Sequence, residues 1–183
     1  MAQQVLFYNA TGQVIQWQDT SIGNYAPPST NTSLLPVTSA QWANKGTASQ
    51  WWVVGGVLTS TMPLAWAKQI QTTLIQNAAA QAETINLSYT SIGGVTKTYL
   101  MDQNHQFRLM GAYQAYVLGA QEIPANFSWK ASDGTLVPFE IQDITNLHVA
   151  AINQYQNAWA KEQSLLAQIN AATTVSAVQV IVW

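Results

Sequence analysis

The sequence predicts an α+β protein: a small, aromatic-rich β module followed by a helical domain with long helices and an embedded β-hairpin. Three observations carry this. Short β-prone runs divided by turn residues fill the first 62 positions, and apolar residues then recur at helical spacing from Leu64 and again over 143–171. Between those helical stretches, Phe127-Ser128-Trp129-Lys130-Ala131 and Thr135-Leu136-Val137-Pro138-Phe139 flank Ser132-Asp133-Gly134. Asp-Gly between two β-prone runs is a strong hairpin signal, because glycine accepts a positive φ without steric cost. The expected organisation is a β module over 1–62 and a helical domain over 63–183, the latter holding hairpin 127–139 and a long helix 143–171.

Taken in order, Val5-Leu6-Phe7-Tyr8 and Val14-Ile15-Gln16-Trp17 read as a hairpin around Asn9-Ala10-Thr11-Gly12, with aromatic residues for cross-strand contact. Residues 21–33 read as loop, being rich in Gly, Asn, Pro, Ser and Thr. Thr38-Ser39-Ala40-Gln41 is a capping box, in which hydroxyl and amide satisfy each other's free backbone N–H groups and start a short helix carrying Trp42. A second hairpin runs from Gln50 to Thr59 around Gly55-Gly56.

Pro63 suits a helix's first turn, where its missing N–H costs nothing. Ala67, Ile70, Leu74, Ala78 and Ala82 continue that helix to about Asn86, and 88–98 reads as two strands around Gly93-Gly94. Asp102 caps a helix carrying Phe107, Leu109, Met110, Tyr113, Tyr116 and Val117, which Gly119 and Pro124 end. The long helix places Ile144, Leu147, Ala151, Ile152, Tyr155, Trp159, Leu165, Leu166 and Ile169 along one side, a stripe wide enough to pack on a helix or on a second copy of the chain. Thr173 or Thr174 caps a last short turn.

Composition narrows the function classes. Hydrophobic residues make up 48% of the chain, enough for a core, but charged residues only 8%, against roughly 25% in typical soluble domains. Gln, Asn, Ser and Thr fill the polar positions, and a surface so weak in long-range repulsion suits residence in an assembly. A net charge of −2 leaves no electrostatic footprint for nucleic acid or an anionic membrane. There are no cysteines, which excludes disulfides and thiolate metal sites. The amino-terminal stretch lacks the basic and apolar regions of a signal peptide, and no run approaches the ~20 apolar residues of a membrane span. A soluble product made in the cytoplasm is therefore expected.

No catalytic, cofactor or metal residues are assigned. His105 and His148 are the only histidines, and neither stands at ligand spacing from another histidine or an acid. His105 follows Asp102 and aids a helix start, while His148 borders the apolar stripe. The serines lack a nucleophile's sequence context, and Gly55-Gly56 and Gly93-Gly94 lack the strand–loop–helix setting of a phosphate cradle. Asp133, Glu140 and Asp143 could pair as acid and base, but a turn role for Asp133 and a helix-start role for Asp143 account for them better. The tryptophans say more. Trp17, Trp42, Trp51 and Trp52, with Tyr8, concentrate aromatic area in a module too small to bury it all. Trp51 and Trp52 are adjacent and face opposite sides of a strand, so one is expected to be exposed or in a contact. These five residues are the candidate partner-binding set.

Tyr99-Leu100-Met101-Asp102, Trp129-x-x-x-Asp133-Gly134, the long Ala/Gln-rich helix leading into 166–175, and the ending Val180-Ile181-Val182-Trp183 resemble a domain of unknown function that recurs in tail-fibre assembly and tail-associated proteins of bacteriophages. An acid usually precedes the final Trp there. Val182 stands in its place here, so that acid's role is not carried over. Phe7-Tyr8, Thr38-x-x-x-Trp42 and Trp52-Val53-Val54-x-Gly56-x-Leu58 are similar, more loosely, to the leading domain of such proteins. The resemblance is strongest over 64–183. It implies a non-catalytic accessory whose partner is a tail-fibre protein, taken as trimeric, met in the host cytoplasm during assembly. One reading is an assembly chaperone or cap that can stay on the fibre of the virion. The other is a permanent structural component, joining fibre to baseplate or decorating the tip.

Overall fold

The computed structural model describes residues 4–22, 28, 31–119 and 121–183, so most of the expected 21–33 loop lies outside the described residues. The fold is α+β, with small antiparallel sheets and long helices. It divides into two compact units. One comprises Met1–Gln71 with Ile169–Ile181, the other Thr72–Gln168 with Val182–Trp183.

In the first unit, β1 (Gln4–Asn9), β2 (Val14–Asp19) and β3 (Thr32–Pro36) form a sheet of order β2-β1-β3. Asn9 sets the β1–β2 turn: its Oδ1 accepts from Thr11 N at 3.1 Å and Gln13 N at 3.0 Å. Strand β3 is a correction to the loop expected over 21–33. Thr32 and Ser33 pair with Asn9 and Tyr8, a partnership that their low β-pattern contrast did not announce. Both faces of β1 are covered, since Val5 and Phe7 are as buried as Leu6.

Helix α1 (Ser39–Ala43) starts from Thr38 with both capping-box bonds, Gln41 N to Thr38 Oγ1 at 3.2 Å and Thr38 N to Gln41 Oε1 at 2.8 Å. A 3₁₀ turn (Ala48–Gln50) leads to the hairpin of β4 (Trp52–Val54) and β5 (Val57–Thr59). This hairpin docks on the first turn of the chain through Val53 N to Gly12 O at 2.7 Å and Val14 N to Trp51 O at 2.9 Å. Gly12 permits that approach. Its φ is +85°, and a Cβ there would stand 2.4 Å from Val53 O.

Helix α2 spans Leu64–Glu83 and α4 spans Ile141–Ala171. Thr174 caps α5 (Val175–Gln179) through Ala177 N at 3.1 Å. This last segment belongs with the first unit: Lys68 Nζ donates to Asn170 O at 2.7 Å, and buried Gln71 donates to Ile181 O. A low-charge chain thus joins sequence-distant backbone by an amide and one ammonium.

The second unit holds two more hairpins, β6 (Leu87–Thr90) with β7 (Thr96–Tyr99) and β8 (Ser128–Lys130) with β9 (Leu136–Pro138). Ser132 N donates to Thr98 O at 2.8 Å and Lys97 bridges to Asp133 at 2.7 Å, tying one hairpin to the other. That ammonium holds the Asp133 carboxyl well below the usual carboxylate range. Tyr99, Met101, Leu109, Val137, Phe139, Ile144 and Leu147 form the core.

Asp143 is fully buried at the start of α4 and accepts from Tyr89 Oη at 2.8 Å, Ile92 N at 2.7 Å and Glu140 N at 2.8 Å. Its last bond returns to the N–H of the residue before the helix, so Asp143 caps α4 and fastens the β6–β7 turn to it. Gln154 on α4 donates to Glu83 O at 3.1 Å and Ile85 O at 2.8 Å, satisfying carbonyls that α2 leaves free at its end.

Helix α3 (Gln103–Ala112) begins at Asp102, whose side chain accepts from Asn104 N and His105 N. The chain then continues as a π-helical segment (Tyr113–Leu118), where an ordinary α-helix was expected. Gly119 closes it, donating to Gln114 O at 2.7 Å; a Cβ at Gly119 would meet that carbonyl at 2.9 Å. Among the described residues no helix is long and apolar enough to cross a membrane.

Candidate functional site

Register and turn geometry gather the aromatic residues of the first unit. Trp17 lies opposite Leu6 in the β1–β2 ladder, and Tyr8 opposite Val14, with a bulge between Phe7 and Tyr8. Leu6, Val14 and Val53 form a small core, and Tyr8, Trp17 and Trp51 pack half-buried against it with Leu35, Val37 and Leu58. The Trp17 ring is the hub. Trp51 meets it edge-on at 6.0 Å and 86°, and Trp42, delivered by α1, meets it edge-on at 6.3 Å and 76°. Such T-shaped contacts add ~0.5–1.5 kcal/mol each beyond area burial.

Lys45 Nζ sits 4.4 Å over the Trp42 ring. Lys45 follows the C-cap of α1, Asn44, and its N–H donates to Trp42 O at 3.3 Å, which brings the ammonium back over the ring. Trp17 Nε1 is buried without a hydrogen-bond partner among the described residues. At the edge of β2, Asp19 is held below its ordinary value, chiefly by the Ser21 hydroxyl.

Of the five candidate residues, four share this cluster: Tyr8, Trp17, Trp42 and Trp51, each half-buried. Trp52 does not join them at the surface. It is 6% exposed, on the strand face opposite Trp51. The adjacent pair thus splits into one core ring and one ring in an aromatic contact, and neither stands free in solvent. Trp52 is a core ring, and the remaining four are half-buried in the same unit.

A second apolar surface lies in the other unit. Ile144 and Leu147 of the long-helix stripe are buried, but Ile152 is 40%, Tyr155 51% and Trp159 52% exposed. Leu109, Met110, His148, Ala151, Ile152 and Tyr155 line a cavity of about 170 Å³ between α3 and α4. His148 stacks on Tyr113, ring centres 4.1 Å apart at 19°, and burial pushes its pKa below the ordinary value. His105 Nδ1 bonds Asp102 Oδ2 at 2.6 Å at the start of α3. Among the described residues no three His, Asp or Glu side chains gather as a metal would require. What the aromatic cluster can do chemically is bury indole and phenol faces against an apolar or cationic surface.

Neither a curated protein nor a solved structure matches the chain. Residues 67–182 match the family described as "Domain of unknown function (DUF4376)". The match takes in α3, both hairpins of the second unit, α4 and α5, and leaves the indole cluster outside it. With well over half its length accounted for in this way, the chain belongs to the DUF4376 family.

Proposed function

We propose that the chain is a non-catalytic accessory of a bacteriophage tail fibre, working by protein–protein contact. It serves as an assembly chaperone or cap, covering exposed strand edges and apolar patches of a trimeric fibre until folding completes. It meets the fibre in the host cytoplasm and can stay on it in the virion. The observation that carries this reading is the cluster of Tyr8, Trp17, Trp42 and Trp51, four half-buried rings on one small unit whose surface is nearly uncharged. Interface hot spots are rich in such rings, and a weakly charged rim lowers the desolvation cost of burying them. The tail-fibre identity of the partner rests on the sequence resemblance. Ile152, Tyr155 and Trp159 on α4 offer the surface for self-association.

Co-expression with a tail-fibre protein from the same genome tests the reading, with mass spectrometry of intact particles as its second arm. Co-purification that fails when Trp42 is replaced supports it. Absence from mature particles, or a sub-stoichiometric remnant at the tip, marks a chaperone. Stoichiometric presence marks the alternative, a permanent tail component. No association with any fibre protein refutes both.

A further inference from the structure

The six lysine and arginine side chains are few enough to follow one by one. Lys45 covers Trp42, Lys68 bonds Asn170 O, Lys97 pairs with Asp133, and Lys161 Nζ lies 4.5 Å over the Trp183 ring. Each of these four has work inside the fold. Arg108 and Lys130 make no ion pair or side-chain hydrogen bond among the described residues. They are far apart in sequence, yet both line one cavity of about 320 Å³ between α3 and β8.

Its other walls are His105, Phe127, Ser128 and Trp129. The nearby acid is already engaged: Asp102 Oδ1 accepts from Asn104 N and His105 N, and Oδ2 holds His105 Nδ1. The His105 ring therefore has Nε2 as its remaining polar atom. Arg108, Lys130, His105 and Ser128, whose hydroxyl donates to Asn126 O at 3.4 Å, thus line the cavity together with two aromatic residues, in a chain with only 8% charged residues.

We propose that this cavity binds a carboxylate carried next to an apolar group, as in an acidic residue beside an aromatic one in a partner peptide. Arg108 takes the carboxylate through its planar fork, with Lys130 as the second charge. Trp129 and Phe127 cover the apolar neighbour, and Ser128 and His105 supply further polar contacts. A phosphate fits less well: His105 brings the first turn of α3 to the cavity, but Asp102 already takes the Asn104 and His105 N–H groups there, and the aromatic walls offer a phosphate no contact. The site is separate from the indole cluster and stands whether or not that cluster meets a fibre.

Arg108 is the sole arginine, so its Nε–H gives one NMR signal that needs no mutant to assign. The full chain, labelled with ¹⁵N, is titrated with acetyl-Gly-Phe-Asp-Gly-amide, the Asn version of that peptide, phenylacetate and inorganic phosphate. The Asp peptide is expected to shift the Arg108 Nε–H and Trp129 indole N–H signals saturably, and the Asn peptide to bind at least tenfold more weakly. Arg108→Gln and Lys130→Gln should each weaken the Asp peptide at least fivefold. Equal response to the Asn peptide, or unchanged affinity in Arg108→Gln, overturns the site. A response to phosphate alone overturns the carboxylate assignment, and phenylacetate binding as tightly as the peptide overturns the peptide one. Should either variant fail to fold, the Asp–Asn comparison on the wild-type Arg108 signal still decides.

Discussion

Replacing Trp52 and Trp42 one at a time by alanine separates core from surface within a single small unit. Trp52 is 6% exposed on β4, so Trp52→Ala removes a buried indole and leaves a cavity, at a cost of ~3–5 kcal/mol. Against a whole-domain stability of ~5–15 kcal/mol this is a large fraction. Trp42 sits on α1, a helix with no buried residue. Its loss forfeits one edge-on contact with Trp17, ~0.5–1.5 kcal/mol, and the Lys45 contact, ~0.5–1 kcal/mol. These two contacts alone amount to ~1–2.5 kcal/mol, and with its ring only half-buried Trp42→Ala should still cost less than Trp52→Ala. Urea unfolding followed by far-UV circular dichroism measures both, and hydrogen exchange of the β1–β3 amides assigns the change to the first unit. Equal costs for the two variants, or a cost below ~1 kcal/mol for Trp52→Ala, would refute the division of the rings.

Other consequences follow from single contacts. Asp143→Ala strands three donors around a buried site and should cost ~3–5 kcal/mol, with Asp143→Asn costing less because one acceptor oxygen survives; thermal unfolding checks the order. Gly12→Ala forces a Cβ onto Val53 O at positive φ and should cost ~1–3 kcal/mol or more, seen as a lowered unfolding midpoint. His148 should titrate below its ordinary value by NMR, since burial disfavours its charged form. The unfolded chain then binds the extra proton first, so stability is full above the ordinary histidine value and falls as pH drops from there towards the folded value. A midpoint at or above the ordinary value would contradict this. Trp159→Ala should change stability by no more than ~0.5 kcal/mol, yet reduce self-association in sedimentation velocity if α4 mediates it.

What the sequence made legible is local. Thr38 and Gln41 name each other across one turn, Asp133-Gly134 and Gly55-Gly56 fix two hairpins, and Asp102 and Thr174 stand where helices must start. Such signals need only neighbouring residues. The misses are long-range. Strand β3 exists because β1 has a free edge to pair, and nothing within Thr32–Pro36 itself advertises that. The union of α5 with the first unit depends on Lys68 and Gln71 meeting carbonyls about a hundred residues away. Periodicity found the α4 stripe but could not say where its cover is interrupted: Ile152, Tyr155 and Trp159 are exposed, while Leu165 and Ile169 further along are buried again. For the candidate site, the residue types were readable and their mutual arrangement was not: Trp51 and Trp52 look alike in sequence, and only the docking of β4 on Gly12 decides which is inside.

The proposed contact between the half-buried indole rings and a tail-fibre protein is tested most directly by co-purification of that protein with wild-type chain and with Trp42→Ala, each first shown to be folded. Retention with wild type and loss of most of it with Trp42→Ala is the predicted result. Equal retention by both would contradict the claim.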